Sequence, residues 1–361
     1  MVPGPVDPKP EGWPPPPEGW PTSQPTGGEW APPQMPAWGY PQAPSGQPSW
    51  PPPPPPPPEV RDYLRFWRSR KVPWWKPLIA IVVGGIGFVI VAMIVTAVGV
   101  AVDASQNEEG ILGVIEQLSR GEVSKILFVA NSIALGLMVP LAFLLQRIVG
   151  QRPGALSAVT GRLRWGWLWI CLGVSLAALV LYMALAIVVD GWASFELSSQ
   201  PDWLWLLIAI IVITPFQSAG EEYLIRGVLN RAVASWIPNP RAGVIVAAIV
   251  SSIVFALMHA AADPWLNLTY FSMGLLFSYL VWRTGGLEAA IAMHTANNLV
   301  GLGMLPFQEW GGIFDRSAGV AGPEVLLQLF FLGGAALLIV FLTRKRQLTR
   351  EATLAPIGGT S

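Results

Sequence analysis

The sequence has few charged residues, a single cysteine and only two histidines. Charged side chains make up 12% of its 361 residues, against about 25% in a typical soluble domain, so an ordinary soluble protein is excluded. The lone Cys171 excludes an intrachain disulfide and a cysteine-based zinc cluster. The 22 basic and 22 acidic residues cancel, so no excess positive charge indicates a nucleic-acid partner.

Long apolar runs fill much of the chain, which is 52% hydrophobic. Each run is close to the length that crosses the hydrocarbon core of a bilayer, and the runs lack the alternation of outer-membrane strands. These features predict an all-α fold, a polytopic helical membrane protein of the plasma or inner membrane. We predict about eight transmembrane helices, which cover residues 78–102, 126–145, 167–189, 203–220, 244–260, 265–282, 287–305 and 325–342.

The loops between these predicted helices alternate in charge. Arginines occur in the second, fourth and sixth loops and in the C-terminal tail, whereas the other loops are acidic or poor in basic residues. Basic residues remain preferentially on the cytoplasmic side of a membrane. The alternation therefore predicts an even number of crossings, with both termini in the cytoplasm.

The N-terminal part of the chain has a different composition. Its first 58 residues hold 24 of the 36 prolines and end in eight consecutive prolines. Because proline fixes φ and lacks an N–H donor, we predict a disordered cytoplasmic tail over 1–58 with polyproline II stretches. The tail either docks a Pro-recognising partner or is a solvated tether without one. A basic and aromatic juxtamembrane segment follows at 59–77, then the transmembrane domain at 78–343 and a cytoplasmic tail at 344–361.

Ionisable residues inside membrane helices are functional candidates because their burial is costly. The first cluster is Glu221, Glu222 and Arg226. Glu222 and Arg226 are four residues apart and can pair on a helix, while Glu221 points about 100° away. The plain alternative is a solvated ion pair at a cytoplasmic helix end.

Two further clusters each contain one of the histidines. Phe255 and His259 share a helix face, and so do His294 and Asn298. Each histidine alone is explained as a buried side chain bonded to a neighbour, and polar residues also hold membrane helices together. The combination of a carboxylate, two imidazoles and an amide can hydrolyse a peptide bond. The carboxylate removes a proton from water, one imidazole holds that water or shares the proton, and the second imidazole and the amide stabilise the oxyanion.

These three clusters, in this order, resemble the CPBP family of intramembrane proteases, which includes CAAX prenyl proteases and bacteriocin-processing or self-immunity proteins. The segment 285–294 also looks like the third motif region of that family. The resemblance covers a protease core of roughly 200–305, and the proline-rich tail lies outside it. It implies an intramembrane endopeptidase that cleaves a membrane-embedded protein or peptide substrate, prenylated substrates included, with a glutamate-activated water.

The resemblance also implies roles for the individual residues. Glu221 is then the general base and His259 assists it, while His294 and Asn298 form the oxyanion site. The supporting residues are Glu222 and Arg226, which fix the helix geometry through their pair, and Phe255, which packs beside His259.

The requirement for a metal stays open between two alternatives. Glu221, His259 and His294 have the composition of a two-histidine, one-carboxylate zinc site, but the chain lacks the His-Glu-x-x-His helix of many zinc proteases. We favour a site that requires no cofactor, with Zn²⁺ as the alternative.

The depth of the clusters within the membrane poses a problem. The loop charges put Glu221 near the cytoplasmic face, whereas His259 lies 18 residues after Arg241, about 27 Å along a straight helix. The two side chains meet only if the fourth helix continues to about Trp236 or the fifth begins deeper. Two other functions also remain: a catalytically silent scaffold or self-immunity protein of the same fold, and a proton-coupled transporter, for which no internal repeat is found.

Overall fold

The computed structural model describes residues 58–69, 72–191, 198–310 and 314–353. Almost all of the predicted disordered tail at 1–58 lies outside the described residues, and so does 354–361. The described chain is predominantly helical. The helices are α1 (Trp75–Ala104), α2 (Gly110–Ser119), α3 (Lys125–Gly136), α4 (Met138–Val149), α5 (Trp165–Asp190), α6 (Trp203–Glu222), α7 (Arg231–Trp236), α8 (Pro240–Met258), α9 (Pro264–Thr284), α10 (Glu288–Leu302) and α11 (Val325–Lys345).

Six helical stretches among the described residues are long and apolar enough to cross a membrane. They coincide with predicted segments one to five and eight, which confirms a multi-pass helical membrane protein. Their bounds are Trp75–Ala104, Lys125–Val149, Trp165–Val189, Trp203–Trp236, Pro240–Met258 and Val325–Lys345.

Helices α9 and α10 occupy the two remaining predicted segments, but the count of eight crossings is not confirmed. Helix α10 has 15 residues, and its first nine, Glu288–Ala296, are all buried. Side chains surrounded by protein need not be apolar in the way that lipid-facing ones must. Helix α10 can therefore be less apolar than the membrane-spanning helices, because it lies centrally and packs on α5, α6 and α9.

The fourth predicted helix does not end at residue 220. Helix α6 passes through Pro215 without a break, enters a π-helical segment at Tyr223–Asn230 and runs on through α7, giving one span of 34 residues. Glu221 therefore lies near its middle, about 22 Å from the Trp236 end.

The continuous helix removes the difference in depth between the first two clusters. Helix α8 begins at Pro240, shortly after Trp236, and His259 follows its last residue. His259 is thus about 28 Å from that same end, close to the depth of Glu221. The expectation that His259 lies within its helix is wrong by one residue, because α8 ends at Met258 and Ala260 has a φ of 49°.

The segments that flank the helical bundle pair with each other. Strand β1 (Val60–Asp62) is antiparallel to strand β2 (Glu351–Thr353), with Arg61 opposite Ala352. Both segments therefore lie at the same end of the bundle.

The tryptophans of the juxtamembrane segment divide into two groups. Trp74 and Trp75 are 71% and 44% exposed and suit an aromatic belt at the membrane border. Trp67 does not, because it is 1% exposed and its Nε1 donates to Gln146 Oε1 at 2.8 Å. This ring belongs to the protein core, where its polar N–H finds a partner.

Candidate active site

The predicted site residues of all three clusters come together in the interior of the bundle. The 34-residue span that begins with α6 contributes Glu221, Glu222 and Arg226, and α10 contributes His294 and Asn298. Phe255 lies near the end of α8, and His259 follows that end; both lie at one side of the site. Small residues allow the neighbouring helices to pack closely against α10, since the alanines beside His294 are fully buried. These are Ala289, Ala290, Ala292 and Ala296.

Glu222 connects the first cluster to the third. Its Oε1 accepts hydrogen bonds from Arg226 NH1 and from His294 Nδ1, each at 2.9 Å. Neither Glu222 nor Arg226 is exposed, and His294 is 2% exposed. The solvated ion pair considered as the plain alternative is therefore wrong: this pair is buried and shares a histidine from another helix.

Arg226 also contacts a carbonyl of α9 and two aromatic faces, while its buried Nε has no hydrogen-bond partner among the described residues. Its NH2 donates to the Gly274 carbonyl of α9 at 3.3 Å. The guanidinium carbon lies 4.5 Å from the ring centre of Phe255 and 5.2 Å from that of Phe277. Cation–π contacts of this kind strengthen when water is excluded, so the rings help to compensate for burial of the arginine.

His294 lies between the two glutamates. Its Nε2 is 3.8 Å from Glu221 Oε2, too long for a direct hydrogen bond, while its Nδ1 is bonded to Glu222. An ionised carboxylate only accepts, so Nδ1 carries a proton. In a neutral ring Nε2 then has the lone pair, and in an imidazolium it has an N–H.

His259 has a similar tautomer and a different environment. Its Nδ1 is 2.7 Å from the Phe255 carbonyl oxygen, which can only accept, so Nδ1 is the donor. Its ring stacks on Tyr270 at 3.9 Å between centroids and meets Phe255 edge-on at 4.7 Å. His259 is partly exposed, and Glu221 and His294 are near enough to interact electrostatically with it.

Glu221 and Asn298 meet through a residue that the sequence analysis did not select. Gln217, one turn before Glu221, donates from Nε2 to Glu221 Oε1 and accepts from Asn298 Nδ2 at 3.1 Å. Gln328 of α11 reaches the same region through Asn297, at 2.8 Å. A lone glutamine in an otherwise apolar run is the signal that could have identified Gln217 and Gln328.

The alternative zinc site does not assemble. Within the described ranges, no group of three His, Cys, Asp or Glu side chains is close enough to hold a metal ion, and catalytic zinc uses three protein ligands. Glu221 and His294 approach each other, but His259 does not complete a ligand set with them. The residues present therefore do not fit the predicted three-ligand zinc site.

The π-helical segment begins directly after the two glutamates. It covers Tyr223–Asn230 within an otherwise α-helical span. Such segments are rare and occur mostly at functional sites. Here the wider turn carries Arg226 while its contact with Glu222 is retained.

Comparison with known proteins identifies one family. Residues 200–300 match the sequence model of the Rce1-like family, described as type II CAAX prenyl endopeptidase Rce1-like. All seven predicted site residues fall within this region, and the resemblance to the CPBP proteases is confirmed.

One curated relative is the uncharacterized protein YyaK of Bacillus subtilis (strain 168), which is 26% identical over 172 residues. The match covers 45% of this chain and 55% of YyaK, so it spans about half of each protein. No solved structure gives a significant match.

Proposed function

We propose that this multi-pass membrane protein, whose residues 200–300 form an Rce1-like region of the CAAX-protease type, is an intramembrane endopeptidase. The observation that supports this most directly is the position of His294 between Glu221 and Glu222. One glutamate is neutralised by Arg226 and orients the imidazole. The other has no cationic arginine or lysine partner among the described residues' ion pairs and is available as a base.

The reaction begins with a water molecule beside Glu221 and His294. Glu221 takes one proton from this water as its oxygen attacks the carbonyl carbon of the scissile peptide bond. The resulting oxyanion accepts hydrogen bonds from the Asn298 amide and from His294 Nε2 in its protonated form. Glu221 then gives its proton to the leaving nitrogen, and the C–N bond breaks to release an amine and a carboxylic acid.

The remaining side chains orient these groups. His259 assists Glu221 through its Nε2, since its Nδ1 is held by Phe255. Glu222 fixes the His294 tautomer, as a carboxylate does for the imidazole of other hydrolases. The route requires no metal, and a chelator test checks it against the zinc requirement that the sequence left open.

The proposed substrate is a membrane-embedded protein or peptide, prenylated proteins included, in contact with the lipid bilayer. Both termini are proposed to be cytoplasmic, with a Pro-recognising partner for the N-terminal tail and no nucleic-acid partner. A silent scaffold or self-immunity protein of the same fold is the second candidate, and a proton-coupled transporter is the third.

Cleavage of a panel of membrane and CAAX peptides by the detergent-purified protein tests the proposal. Glu221→Gln and His294→Ala should each lower kcat by about a hundredfold or more, as loss of general base or oxyanion groups does. The control is Glu116→Gln, an exposed glutamate on α2, which should cleave like wild type.

Each assay is repeated with a strong zinc chelator. Activity that survives chelation supports the metal-free route, whereas activity lost on chelation and restored by zinc supports the metal alternative. Equal cleavage by wild type and Glu221→Gln would overturn the catalytic assignments. A wild type that cleaves no peptide would favour the scaffold.

A further inference from the structure

Four side-chain amides form one hydrogen-bonded chain, the amide line, which runs from Gln328 on α11 to Glu221. Gln328 Nε2 donates to Asn297 Oδ1 at 2.8 Å, and Asn297 Nδ2 donates to Asn298 Oδ1 at 3.2 Å. Asn298 Nδ2 donates to Gln217 Oε1 at 3.1 Å, and Gln217 Nε2 donates to Glu221 Oε1. All four amides therefore donate to the next residue, and every amide except Gln328 also accepts from the one before it.

The carboxylate at the end of this line sets the direction of every bond. An ionised glutamate can only accept, so Gln217 must present its Nε2 to Glu221. Its Oε1 then faces Asn298, which must donate. The same requirement passes to Asn297 and finally to Gln328, whose Oε1 is left at the far end.

Bonds aligned in one direction polarise one another, and the effect is stronger where water is scarce. All four amides are half-buried, between helices rather than on an exposed loop. The last bond, to a charged group, is of the stronger class. It holds Glu221 Oε1 on the side of Gln217 and leaves Oε2 as the atom nearest to His294, at 3.8 Å.

We propose that Gln217 and Gln328 are positioning residues that hold the carboxylate of Glu221 in its reactive orientation, Gln217 directly and Gln328 through Asn297, Asn298 and Gln217. This inference rests on the proposed peptidase function for its kinetic consequence. Gln328 lies on α11, outside the matched residues 200–300. A residue beyond the family region would therefore help to set the geometry of the base.

Kinetics of Gln217→Leu, Gln328→Leu and the double variant provide the first test. Gln217→Leu should lower kcat about tenfold, the loss expected for one hydrogen bond to a charged group, with KM changed less than about twofold because substrate contacts remain. Gln328→Leu should have a smaller effect in the same direction. The double variant should match Gln217→Leu alone, since the line is already cut next to Glu221.

Infrared spectroscopy gives a second readout that needs no activity. The carboxylate band of Glu221 is identified by its loss in Glu221→Gln. Gln217→Leu should displace this band, and Gln328→Leu should displace it less, in the same direction. The matched control is Gln200→Leu, because Gln200 is also half-buried but bonds to Lys125 and the Gln308 carbonyl outside the site.

The two readouts separate the failure of this inference from failure of the peptidase proposal. Additive kinetic effects, or a Glu221 band unmoved by Gln328→Leu in a protein with wild-type thermal stability, would overturn the amide line. A wild type without peptidase activity would overturn the function alone, while the infrared band would still decide whether the line reaches Glu221.

Discussion

Glu222 and Arg226 form an ion pair from which water is excluded. Burial of two charges costs several kcal/mol per ion unless the geometry and additional hydrogen bonds compensate. Here the compensation comes from other helices: His294 donates to Glu222, while the Gly274 carbonyl and two aromatic rings surround Arg226. The pair thus stabilises one particular arrangement of α6, α9 and α10.

Loss of the Arg226 side chain should therefore destabilise the protein strongly. We expect Arg226→Ala to lower the free energy of unfolding by about 3–5 kcal/mol, because Glu222 is left as an uncompensated buried charge. Denaturant unfolding of the purified protein in detergent measures this loss.

Helix α2 offers a matched control with the same residue types and spacing. Arg120 pairs with Glu116, but the side chains are 56% and 61% exposed. Arg120→Ala should cost less than about 1 kcal/mol. Similar losses for the two arginines would contradict the view that burial, and not pairing itself, makes Arg226 important.

Close contact between helices also constrains the element that carries the glutamates. Helix α6 passes α3 so closely at Gly220 that a β-carbon there would overlap the backbone carbonyl of Leu135. A backbone carbonyl within a helix cannot rotate away as a side-chain end could. Gly220 therefore sets how far α6 approaches α3, one residue before Glu221.

We expect Gly220→Ala to force α6 away from α3 and to destabilise the protein by about 1–3 kcal/mol, as overpacking does. Gly173→Ala is the control, since Gly173 lies within α5 and a β-carbon there meets nothing within 4 Å. That change should be neutral or stabilise the helix by up to about 1 kcal/mol. Thermal unfolding of both variants distinguishes them, and an unaffected Gly220→Ala would show that the contact is not constraining.

At the scale of the whole molecule, two contacts connect segments that are distant in sequence. Strands β1 and β2 place the two flanking segments at one end of the bundle. Ala262 donates its N–H to the Arg316 carbonyl at 2.8 Å, which brings together the loops after α8 and after α10. Together with the loop charges, these contacts predict that Arg346 is cytoplasmic and that Ser317 is on the opposite side.

Single-cysteine labelling tests this orientation. Cys171→Ser removes the chain's one cysteine, which is buried, and Ser317→Cys or Arg346→Cys is added at an exposed position. A membrane-impermeant maleimide should label Ser317→Cys on intact cells and Arg346→Cys only after permeabilisation. The reverse pattern would invert the proposed topology.

The sequence alone determined the class of the protein and the residue types of its site. Composition and apolar runs are enough for a helical membrane protein, because lipid excludes other solutions for the backbone. Helical spacing is a local property, so the proximity of Glu222 to Arg226 and the shared face of Phe255 and His259 follow from sequence distance alone.

Only the tertiary structure decided which helix faces pack against each other. Spacing within α6 and α10 could not show that His294 bonds to Glu222, 72 residues away, or that Gln328 connects to Glu221 through other amides. Nor did local composition show that the helical span that begins with α6 continues to Trp236 or that Trp67 is buried. These features depend on the axial position and rotation of one helix against another, which are set by packing between distant segments and not by the periodicity of any one of them.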